Sequence, residues 1–352
     1  MKLSIIIVSY NAKHHLQFCL ESCVNATKNL EAEILVIDNN SPDNVVAYLQ
    51  PLFSSVKFFQ LEENLGFAKA NNFGVQQANG EFVLILNPDT IIPEDLFDSL
   101  IPFYTSKKDA GIVGVRLIDA DGNFHPESKR NLPTPRNSFA KLFKLGKSTA
   151  DNYYKIDIKE NEIARTEILV GAFMLLKKSI YEEINGFDPR YFMYGEDIDI
   201  SYSCELAGYK NYYKGDQTVL HYKGESTKKD KKYFKIFFEA MNLFVNKYYA
   251  EQPFKLMAMK AGIVLKYYFS VLKSRVKSEK KSEIEIQKNE LYWLNKSSEL
   301  NHLKEMHIVL STEFFTFSDI LRMISQNNSS QKSFYIHSHL SGKIIGSQGL
   351  IL

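Results

Sequence analysis

The chain has few cysteines, and they follow no recognisable pattern. Cys19 and Cys23 lie one helical turn apart, and Cys204 is the only other cysteine among 352 residues. An odd count without a motif spacing argues against a disulfide framework and against a zinc site. We therefore interpret the three thiols as small buried apolar groups in a protein of a reducing compartment.

Long apolar runs are also absent. The run at residues 3–8 is too short for a signal peptide. Residues 254–272 are interrupted by Lys255, Lys260 and Lys266, whereas a membrane-spanning helix needs about 20 consecutive apolar residues. The sequence predicts a cytoplasmic protein without a membrane span.

Neither the charge nor the glycine pattern indicates a nucleic-acid, dinucleotide or ATP site. The net charge is only +2, which gives no general reason for binding a nucleic acid or another polyanion. No segment matches G-x-G-x-x-G or a P-loop, the motifs that cradle dinucleotides and nucleoside triphosphates.

The sequence does contain an alternation of apolar strands and amphipathic helices. Residues 3–8, 34–37, 56–59 and 82–86 are short apolar runs typical of strands buried on both faces. Segments with helical spacing separate these runs, and further core strands are predicted at 111–115 and 168–176. This order predicts an α/β domain with a mostly parallel sheet and helices on both faces.

Polar side chains follow each predicted strand at the point where it ends. Because the carboxyl ends of parallel strands meet at one sheet edge, these side chains predict a nucleotide site there. The Asp38 carboxylate can accept a hydrogen bond from the imide N–H of uracil or thymine, or it can stabilise a turn. Asp89 can bind a divalent cation or cap the helix predicted after Pro93. The strand-end residues are Ser9, Tyr10, Asn11, Asp38, Asn39, Asn40, Asn64, Asn87, Pro88 and Asp89.

A second informative stretch is the acidic start of a helix at Glu196, Asp197 and Asp199. Acidic residues stabilise a helix N-terminus electrostatically, which is one interpretation. The other is that one of these carboxylates is a general base. Helical spacing places Glu196 on a different face from Asp197, and it predicts Ile198, Tyr202 and Leu206 on the inner face.

Three other segments give weaker signals. Residues 124–165 lack periodicity and are basic, which fits either an acceptor loop or a solvated insertion. Gly171 and Ala172 permit close backbone approach to a ligand. His221, at the end of a predicted strand, is by itself more often a satisfied polar residue than a metal ligand.

The last third of the chain predicts helices and then a small α/β unit. Residues 254–276 form a basic amphipathic helix that either packs on the α/β domain or lies on an anionic membrane. Residues 277–288 are charged and predict a linker. Strands at 306–310 and 333–337 flank a helix at 317–325, and His337 and His339 are expected on one side of a strand.

The ordered motifs resemble those of inverting family 2 glycosyltransferases, specifically the rhamnosyltransferase-like subgroup. The resemblance covers residues 1–226, and several motifs in the family's order are far more specific than any one alone. The matching segments are residues 8–11, 36–41, 64–68 with 71–72, 86–90, 171–174, 186–188, 192–199 and 221–226.

The resemblance implies a GT-A fold, a nucleotide-sugar donor and specific residue roles. Asp197 matches the catalytic base, and Asp89 and His221 match ligands of Mg²⁺ or Mn²⁺. Asn87 departs from the family's D-x-D motif, because an amide stands where the first acid is expected. The implied donor-binding residues are Ser9, Tyr10, Asn11, Asp38, Asn39, Asn64, Gly66, Phe67, Lys69, Asn72 and Asn87. The implied acceptor or cleft residues are Gly171, Ala172, Phe173, Tyr194 and Glu196.

The expected reaction is transfer of one sugar, L-rhamnose from a dTDP donor as first choice, to a cell-surface glycan or lipid-linked acceptor. One alternative is another UDP- or dTDP-sugar, such as glucose, galactose or an N-acetylhexosamine. The other is a nucleotide-sugar-binding module that has lost catalysis. The expected organisation is a catalytic domain at 1–226, a helical basic extension at 227–300 and a tail at 301–352. The expected location is cytoplasmic, with peripheral membrane contact through 254–276.

Overall fold

The fold is described from a computed structural model. The structure describes residues 1–133, 153–223, 231–276, 290–303, 307–328, 332–346 and 349–350. Several predicted features lie outside these residues: the linker at 277–288, the middle of the irregular basic segment, and the last residues of the 221–226 motif.

The strands and helices are numbered in chain order. The strands are β1 (Leu3–Ser9), β2 (Ala32–Asp38), β3 (Val56–Gln60), β4 (Phe82–Leu86), β5 (Thr90–Ile91), β6 (Ala110–Ile118), β7 (Ile163–Arg165), β8 (Phe173–Lys177), β9 (Lys210–His221), β10 (Tyr292–Leu294), β11 (His307–Ser311), β12 (Ser333–His337), β13 (Ile344–Gly346) and β14 (Gly349–Leu350). The helices are α1 (Lys13–Ala26), α2 (Val45–Leu49), α3 (Gly66–Gln77), α4 (Leu96–Ser106), α5 (Lys178–Glu183), α6 (Glu196–Leu206), α7 (Lys231–Tyr249), α8 (Pro253–Val276) and α9 (Phe317–Gln326). Short 3₁₀ helices occupy Pro126–Ser128 and Ser297–His302.

The large sheet has the strand order β3-β2-β1-β4-β8-β6-β9-β5, with β7 paired to β9. Strands β3, β2, β1 and β4 run parallel, and β8 is antiparallel to both of its neighbours. All residues of β1 and β4 are buried. The predicted α/β fold with a mostly parallel sheet is confirmed.

The strand register brings the polar strand ends to one edge of the sheet. Ser9 pairs with Asp38 at the last position of the β1–β2 ladder. Ile7 pairs with Leu86, so Asn87 follows at the same edge. Strand β5 then pairs with the end of β9, and this pairing sets Thr90 opposite His221.

The strand predicted at 168–176 is shorter in the structure and begins later. Strand β8 starts at Phe173, although Ile168 and Leu169 before it are fully buried. The residues before β8 do not continue the strand because Arg130 forms hydrogen bonds with their carbonyl groups. The backbone N–H of Arg130 donates to the carbonyl of Ile168, and its Nη2 donates to that of Leu169. Burial alone therefore did not make this segment a strand.

The predicted inner face of the acidic helix was wrong. Leu206 is 61% exposed, and Ile198 and Tyr202 pack half-buried against the cluster of α7 and α8. Helix α6 has two contact faces because the sheet domain covers one side and α7 covers the other. Its buried residues are Glu196, Asp199, Ile200, Ser201 and Cys204.

Strands β10 to β14 form a second sheet, in that order, and α9 connects β11 to β12. The predicted strand–helix–strand pattern of the tail is confirmed. The expectation that His337 and His339 share a strand was wrong, because β12 ends at His337. The chain turns at Ser338, whose N–H donates to the carbonyl of Lys343.

Helices α7 and α8 follow the large sheet and precede the second sheet in chain order, and they pack against each other. Phe238, Phe244, Val245, Tyr249 and Ile263 are the buried members of their shared cluster. Among the described helices, none combines the length and the apolar character that crossing a bilayer requires.

Candidate active site

Asp38 is the buried carboxylate at the end of β2, where a nucleotide base is predicted. Its Oδ1 accepts a hydrogen bond from the N–H of Ser41 at 3.1 Å, and the Ser41 hydroxyl accepts one from the N–H of Asn11 at 3.1 Å. Burial raises the pKa of Asp38 and outweighs these hydrogen bonds. The turn interpretation of Asp38 is thus seen in the structure, and base binding stays a prediction.

The segment after β1 presents an aromatic side chain at the same edge. Ser9 is buried, whereas Tyr10 is 43% exposed. Asn11 has a left-handed backbone conformation, with φ of 53°, which asparagine tolerates better than most residues. The chain reverses there, so Tyr10 lies at the rim while α1 begins two residues later.

Asn39 joins the end of β2 to the loop before α3. Its Nδ2 donates to Asn64 Oδ1 at 3.0 Å, and its Oδ1 accepts from the N–H of Leu65 at 2.8 Å. Gly66 has φ of +79°, and a Cβ there would lie 2.4 Å from the carbonyl oxygen of Phe192. The next N–H, that of Phe67, donates to the same oxygen at 2.7 Å. These contacts seat the segment at 190–195 on the predicted donor loop.

Two predicted donor residues on α3 have different environments. Lys69 is exposed on the first turn and is therefore accessible to a phosphate. The Asn72 amide donates to the carbonyl of Phe187 at 2.8 Å and accepts from Tyr181 Oη at 2.5 Å. Its hydrogen bonds therefore hold α3 against the segment that leads to the acidic helix.

Asp89 and His221 meet at the junction of β5 and β9. His221 Nε2 lies 3.3 Å from Asp89 Oδ1, and both side chains are about 10% exposed, at 9% and 11%. Asn87 Nδ2 lies 3.4 Å from the same His221 nitrogen. Burial alone would raise the pKa of Asp89, but His221, His15 and a backbone hydrogen bond together leave it lowered.

His125 belongs to this corner and was not predicted. Its ring lies 5.6 Å from that of His221, edge to face. Burial, with a further contribution from His221, lowers the pKa of His125 to about 4. It is therefore neutral at pH 7. No sequence pattern indicates His125, because it lies in a segment without periodicity and its contact is with a strand end 96 residues away.

Asp197 is held by Arg130, which lies in the irregular basic segment at 124–165. Arg130 Nη2 donates to Asp197 Oδ2 at 2.6 Å, and their side chains are 8% and 14% exposed. The N–H of Ile198 donates to Asp197 Oδ1 at 2.8 Å. Burial opposes the charge of Arg130, but Asp197 outweighs it and raises the arginine's pKa. The arginine therefore stays charged and fixes the orientation of the carboxylate.

The segment at 171–172 connects the Asp197 side of the site to the Asp89 side. The N–H of Gly171 points to Asp197 Oδ2 at 3.4 Å, and the carbonyl of Ala172 accepts from the N–H of Asn87 at 3.0 Å. A Cβ on Gly171 would lie 3.3 Å from that of Asp197. Phe173, by contrast, is buried in the core of β8.

Glu196 is a buried acid beside the predicted base. Burial, followed by the negative charge of Asp197, raises the pKa of Glu196 to about 8. Among the described residues, nothing donates a hydrogen bond to its Oε2. Burial therefore favours the protonated form of this carboxyl group, which can donate a hydrogen bond beside the Asp197 side chain.

Helix α7 holds the third acid and the aromatic residue before the acidic helix. Lys247 Nζ lies 2.9 Å from both oxygens of Asp199, and Tyr248 Oη donates to Oδ1 at 2.9 Å. Tyr194, with φ of 70°, packs its ring edge to face against Tyr233. Asp199 is thus a structural acid.

Within the described ranges, no three His, Cys, Asp or Glu side chains converge so that they can hold a metal ion. Asp89 and His221 are therefore two protein ligands at most, and Mg²⁺ is commonly held by one or two carboxylates together with substrate phosphates.

Known proteins match this chain in sequence and in fold. The family model for glycosyl transferase family 2 matches residues 4–185. The N-acetylglucosaminyl-diphospho-decaprenol L-rhamnosyltransferase of Mycobacterium tuberculosis is 27% identical over 253 residues, which cover 65% of this chain and 78% of the relative. Rhamnosyltransferase WbbL of Escherichia coli K12 is 29% identical over 227 residues, covering 62% and 82%.

A solved structure supports the fold. GalNAc-T7, crystallised with UDP, GalNAc and Mn²⁺, superposes with a TM-score of 0.52 at 18% sequence identity, covering 78% of this chain and 57% of that chain. At this identity the likeness shows the fold alone. Because the family model spans more than half of the 352 residues, the chain belongs to glycosyl transferase family 2 and is a glycosyltransferase with a GT-A fold.

Proposed function

We propose that this chain transfers L-rhamnose from a dTDP donor to a hydroxyl group of a cell-surface glycan or lipid-linked acceptor. The names of the M. tuberculosis and E. coli relatives support the choice of sugar. UDP-sugars are the alternative donors, because uracil and thymine present the same imide N–H to Asp38. The observation that carries the proposal is the hydrogen-bonded segment at 171–172, which joins Asp197 to the Asp89 corner.

Asp197 is proposed as the general base of a single displacement. The acceptor oxygen attacks the anomeric carbon as the bond to the leaving diphosphate breaks, and the hydroxyl proton passes to a carboxylate oxygen of Asp197. One displacement from the face opposite the leaving group inverts the anomeric configuration. The side chain is 14% exposed, so it is accessible from the cleft while Arg130 and Ile198 hold its orientation.

Glu196 is proposed to bind the acceptor. In the protonated form that burial favours, it presents an O–H donor next to the Asp197 acceptor, so neighbouring hydroxyl groups of a sugar can bond to both. If Glu196 were also ionised, its negative charge would repel that of Asp197. Burial of Glu196 thus lets two acids occupy one site with different protonation.

Asp89 and His221 would hold Mg²⁺ or Mn²⁺, and the donor set fits these ions. Carboxylate oxygen suits both metals, and imidazole suits Mn²⁺ better than Mg²⁺. When bound, the ion would stabilise negative charge that develops on the leaving diphosphate. Asn87 adds an amide that contacts His221 and orients its ring.

Helix α8 is proposed to contact an anionic membrane surface. Leu256, Met259 and Ile263 pack toward α7. Because successive helical residues are about 100° apart, the large exposed apolar residues other than Tyr267, whose ring contacts Phe238, form one stripe on another face. Lysines flank that stripe on both sides, the arrangement expected of a helix lying in a membrane interface. The stripe consists of Phe254, Met257, Val264, Leu265 and Tyr268, and the flanking lysines are Lys255, Lys260 and Lys266.

A donor screen tests the catalytic proposal. Purified protein is incubated with dTDP-rhamnose, UDP-glucose, UDP-galactose and UDP-N-acetylglucosamine, with Mg²⁺ or Mn²⁺, and transfer is measured for wild type and Asp197→Asn. We expect one donor to dominate and the variant to lose at least about 100-fold in kcat. Asp98→Asn, at an exposed position on α4, should match wild type. Equal turnover by wild type and Asp197→Asn would refute the assigned base.

A vesicle experiment tests the membrane contact separately. The double variant Met257→Ser with Tyr268→Ser should reduce co-sedimentation with phosphatidylglycerol vesicles about 10-fold, because it removes exposed apolar contacts. Lys235→Ser on α7, which is also exposed, is the control. Binding that is unaffected by the double variant, or equally strong to neutral phosphatidylcholine vesicles, would contradict an interfacial role for α8.

A further inference from the structure

The C-terminal unit, β10 to β14 with α9, is joined to the catalytic domain by a common core. Phe18, Ile91, Leu220 and Tyr222 of the catalytic domain belong to the same buried cluster as the apolar residues of this unit. The contributions of the C-terminal unit are Leu294, Leu300, Ile308, Leu310, Phe317, Ile320, Leu321, Met323, Ile324, Phe334, Ile336 and Ile345. The family model ends at residue 185, so nothing in that match describes this unit.

Two buried or half-buried carboxylates of the catalytic domain fasten the unit in place. Glu94 accepts hydrogen bonds from the N–H groups of Phe317 and Ser318, both at 2.7 Å, at the N-terminus of α9. The Ser318 hydroxyl adds a third bond to Glu94 at 2.8 Å. Glu21 of α1 accepts from Thr312 at 3.0 Å and Ser338 at 2.6 Å.

The docked surface lies directly behind the Asp89–His221 corner. Strand β5 pairs Ile91 with Leu220 and Thr90 with His221. Because neighbouring residues of a strand point to opposite faces, Leu220 enters the shared core while His221 points to Asp89. The N–H of Tyr222, another member of that core, donates to the carbonyl of Asp89 at 2.9 Å.

We propose that the C-terminal unit positions Asp89 and His221, the residues of the metal and diphosphate corner. Glu94 of the catalytic domain, which docks the unit, is the main positioning residue. The inference rests on the proposed function of Asp89 and His221. Strand β5 has only two residues and makes its ladder with β9 alone, so it has little rigidity of its own. The shared core behind Ile91 and Leu220 supplies that rigidity and holds Asp89 and His221 at binding distance.

The test measures Mn²⁺ binding rather than turnover. Full-length wild type, Glu94→Ala and Ser318→Ala are titrated with Mn²⁺ in the presence of dTDP and, in parallel, of UDP, and free Mn²⁺ is followed by electron paramagnetic resonance. We expect the dissociation constant to rise about 10-fold in Glu94→Ala, the scale on which loss of supporting contacts weakens metal sites. Ser318→Ala removes one bond and should give a smaller change in the same direction.

The matched control is Arg322→Ala, on the same helix α9. Arg322 pairs with Asp319 within the helix and is 64% exposed, so its removal leaves the docking contacts intact and should leave Mn²⁺ binding unchanged. In transfer assays, Glu94→Ala should raise the KM for donor and the Mn²⁺ concentration required, with kcat at saturation within twofold of wild type. A merely structural loss of folded protein would lower kcat instead.

The outcomes separate the two proposals. If wild type binds Mn²⁺ and both docking variants bind it equally well, the positioning role is wrong and the metal corner stands. If wild type binds Mn²⁺ with neither dTDP nor UDP, the metal assignment fails and takes this inference with it. If Glu94→Ala proves unstable, Ser318→Ala against Arg322→Ala decides the question.

Discussion

The carboxylate proposed as the base, Asp197, is oriented mainly by its ion pair with Arg130, a residue from a distant part of the chain. Arg130→Lys keeps the positive charge but cannot reproduce the guanidinium contacts to Asp197 and to the carbonyl of Leu169. We expect kcat to fall about 10- to 100-fold with little change in donor KM, because a base misplaced by about 1 Å loses this much. Steady-state kinetics with the active donor measure the effect.

Arg165→Lys serves as the matched control for this substitution. Arg165 is exposed on β7, so the same exchange there should leave kcat unchanged. If Arg130→Lys retained wild-type kcat, the arginine would not orient the base, and if donor KM rose instead, Arg130 would act on donor binding.

The raised pKa of Glu196 predicts how the stability of the protein depends on pH. Its pKa is about 8 in the folded protein, against an ordinary value of 4.5 for an exposed glutamate, so between these values the folded state binds more protons than the unfolded state. The contribution of Glu196 to the free energy of unfolding must therefore fall as pH rises from 4.5 through 8, and then level off. Glu196→Gln cannot ionise and should lose this dependence.

Urea denaturation at pH 5, 7 and 9 checks the Glu196 prediction. Relative to wild type, Glu196→Gln should gain stability from pH 5 to pH 9. Glu251→Gln, at an exposed position, should follow wild type at all three pH values. Parallel stability profiles for wild type and Glu196→Gln would show that the carboxyl group is not protonated in the folded protein.

At the scale of elements, α7 holds the acidic helix α6 in place through the ion pairs of Lys247. Lys247 pairs with Asp188 at 3.0 Å and with Asp199 at 2.9 Å, and the Asp199 side chain is only 2% exposed. Lys247→Met would leave that buried carboxylate without its cation. We expect a loss of about 2–3 kcal/mol in the free energy of unfolding, below the full effect of a broken buried pair because Tyr248 still donates to Asp199.

Lys235→Met on the same helix is the control that separates the specific contacts of Lys247 from a general effect of removing a charge. Lys235 is 72% exposed and pairs only loosely with Glu239, at 3.8 Å, so its removal should change stability by less than about 0.5 kcal/mol. Chemical denaturation of both variants gives the comparison. Equal losses in the two variants would mean that the Lys247 contacts contribute nothing specific.

The contrast between elements shows what the sequence alone can predict here. Strands β1 and β4 were predictable because complete burial selects continuous apolar runs, and the polar residues that end them share an edge by topology. The Arg130–Asp197 and Lys247–Asp199 pairs join residues 67 and 48 positions apart and leave no periodic trace. The shortened β8 was missed for the same reason, since a long-range contact from Arg130 replaced the sheet hydrogen bonds.

At the scale of the whole molecule, separate segments of the chain support different parts of one site. Helix α7 holds Asp199 from one side, and the C-terminal unit packs behind Ile91 and Leu220 on the other. The loop before α3 is fastened to the segment at 190–195 through the N–H of Phe67, which donates to the carbonyl of Phe192. Parts of the chain beyond the family match thus contribute to the geometry of the carboxylates, which predicts that the molecule unfolds as one unit.

The single tryptophan allows that cooperativity to be measured. Trp293 is in β10 of the C-terminal unit, with its ring 4.8 Å from that of His337, so its fluorescence reports on this unit, whereas far-ultraviolet circular dichroism reports mainly on the larger catalytic domain. Because the two share a buried cluster, both signals should change at the same urea concentration. Glu94→Ala weakens the docking and should move the fluorescence midpoint below the circular dichroism midpoint. Arg322→Ala should keep the two midpoints together, and separate midpoints in wild type would show that the C-terminal unit folds independently of the site it contacts.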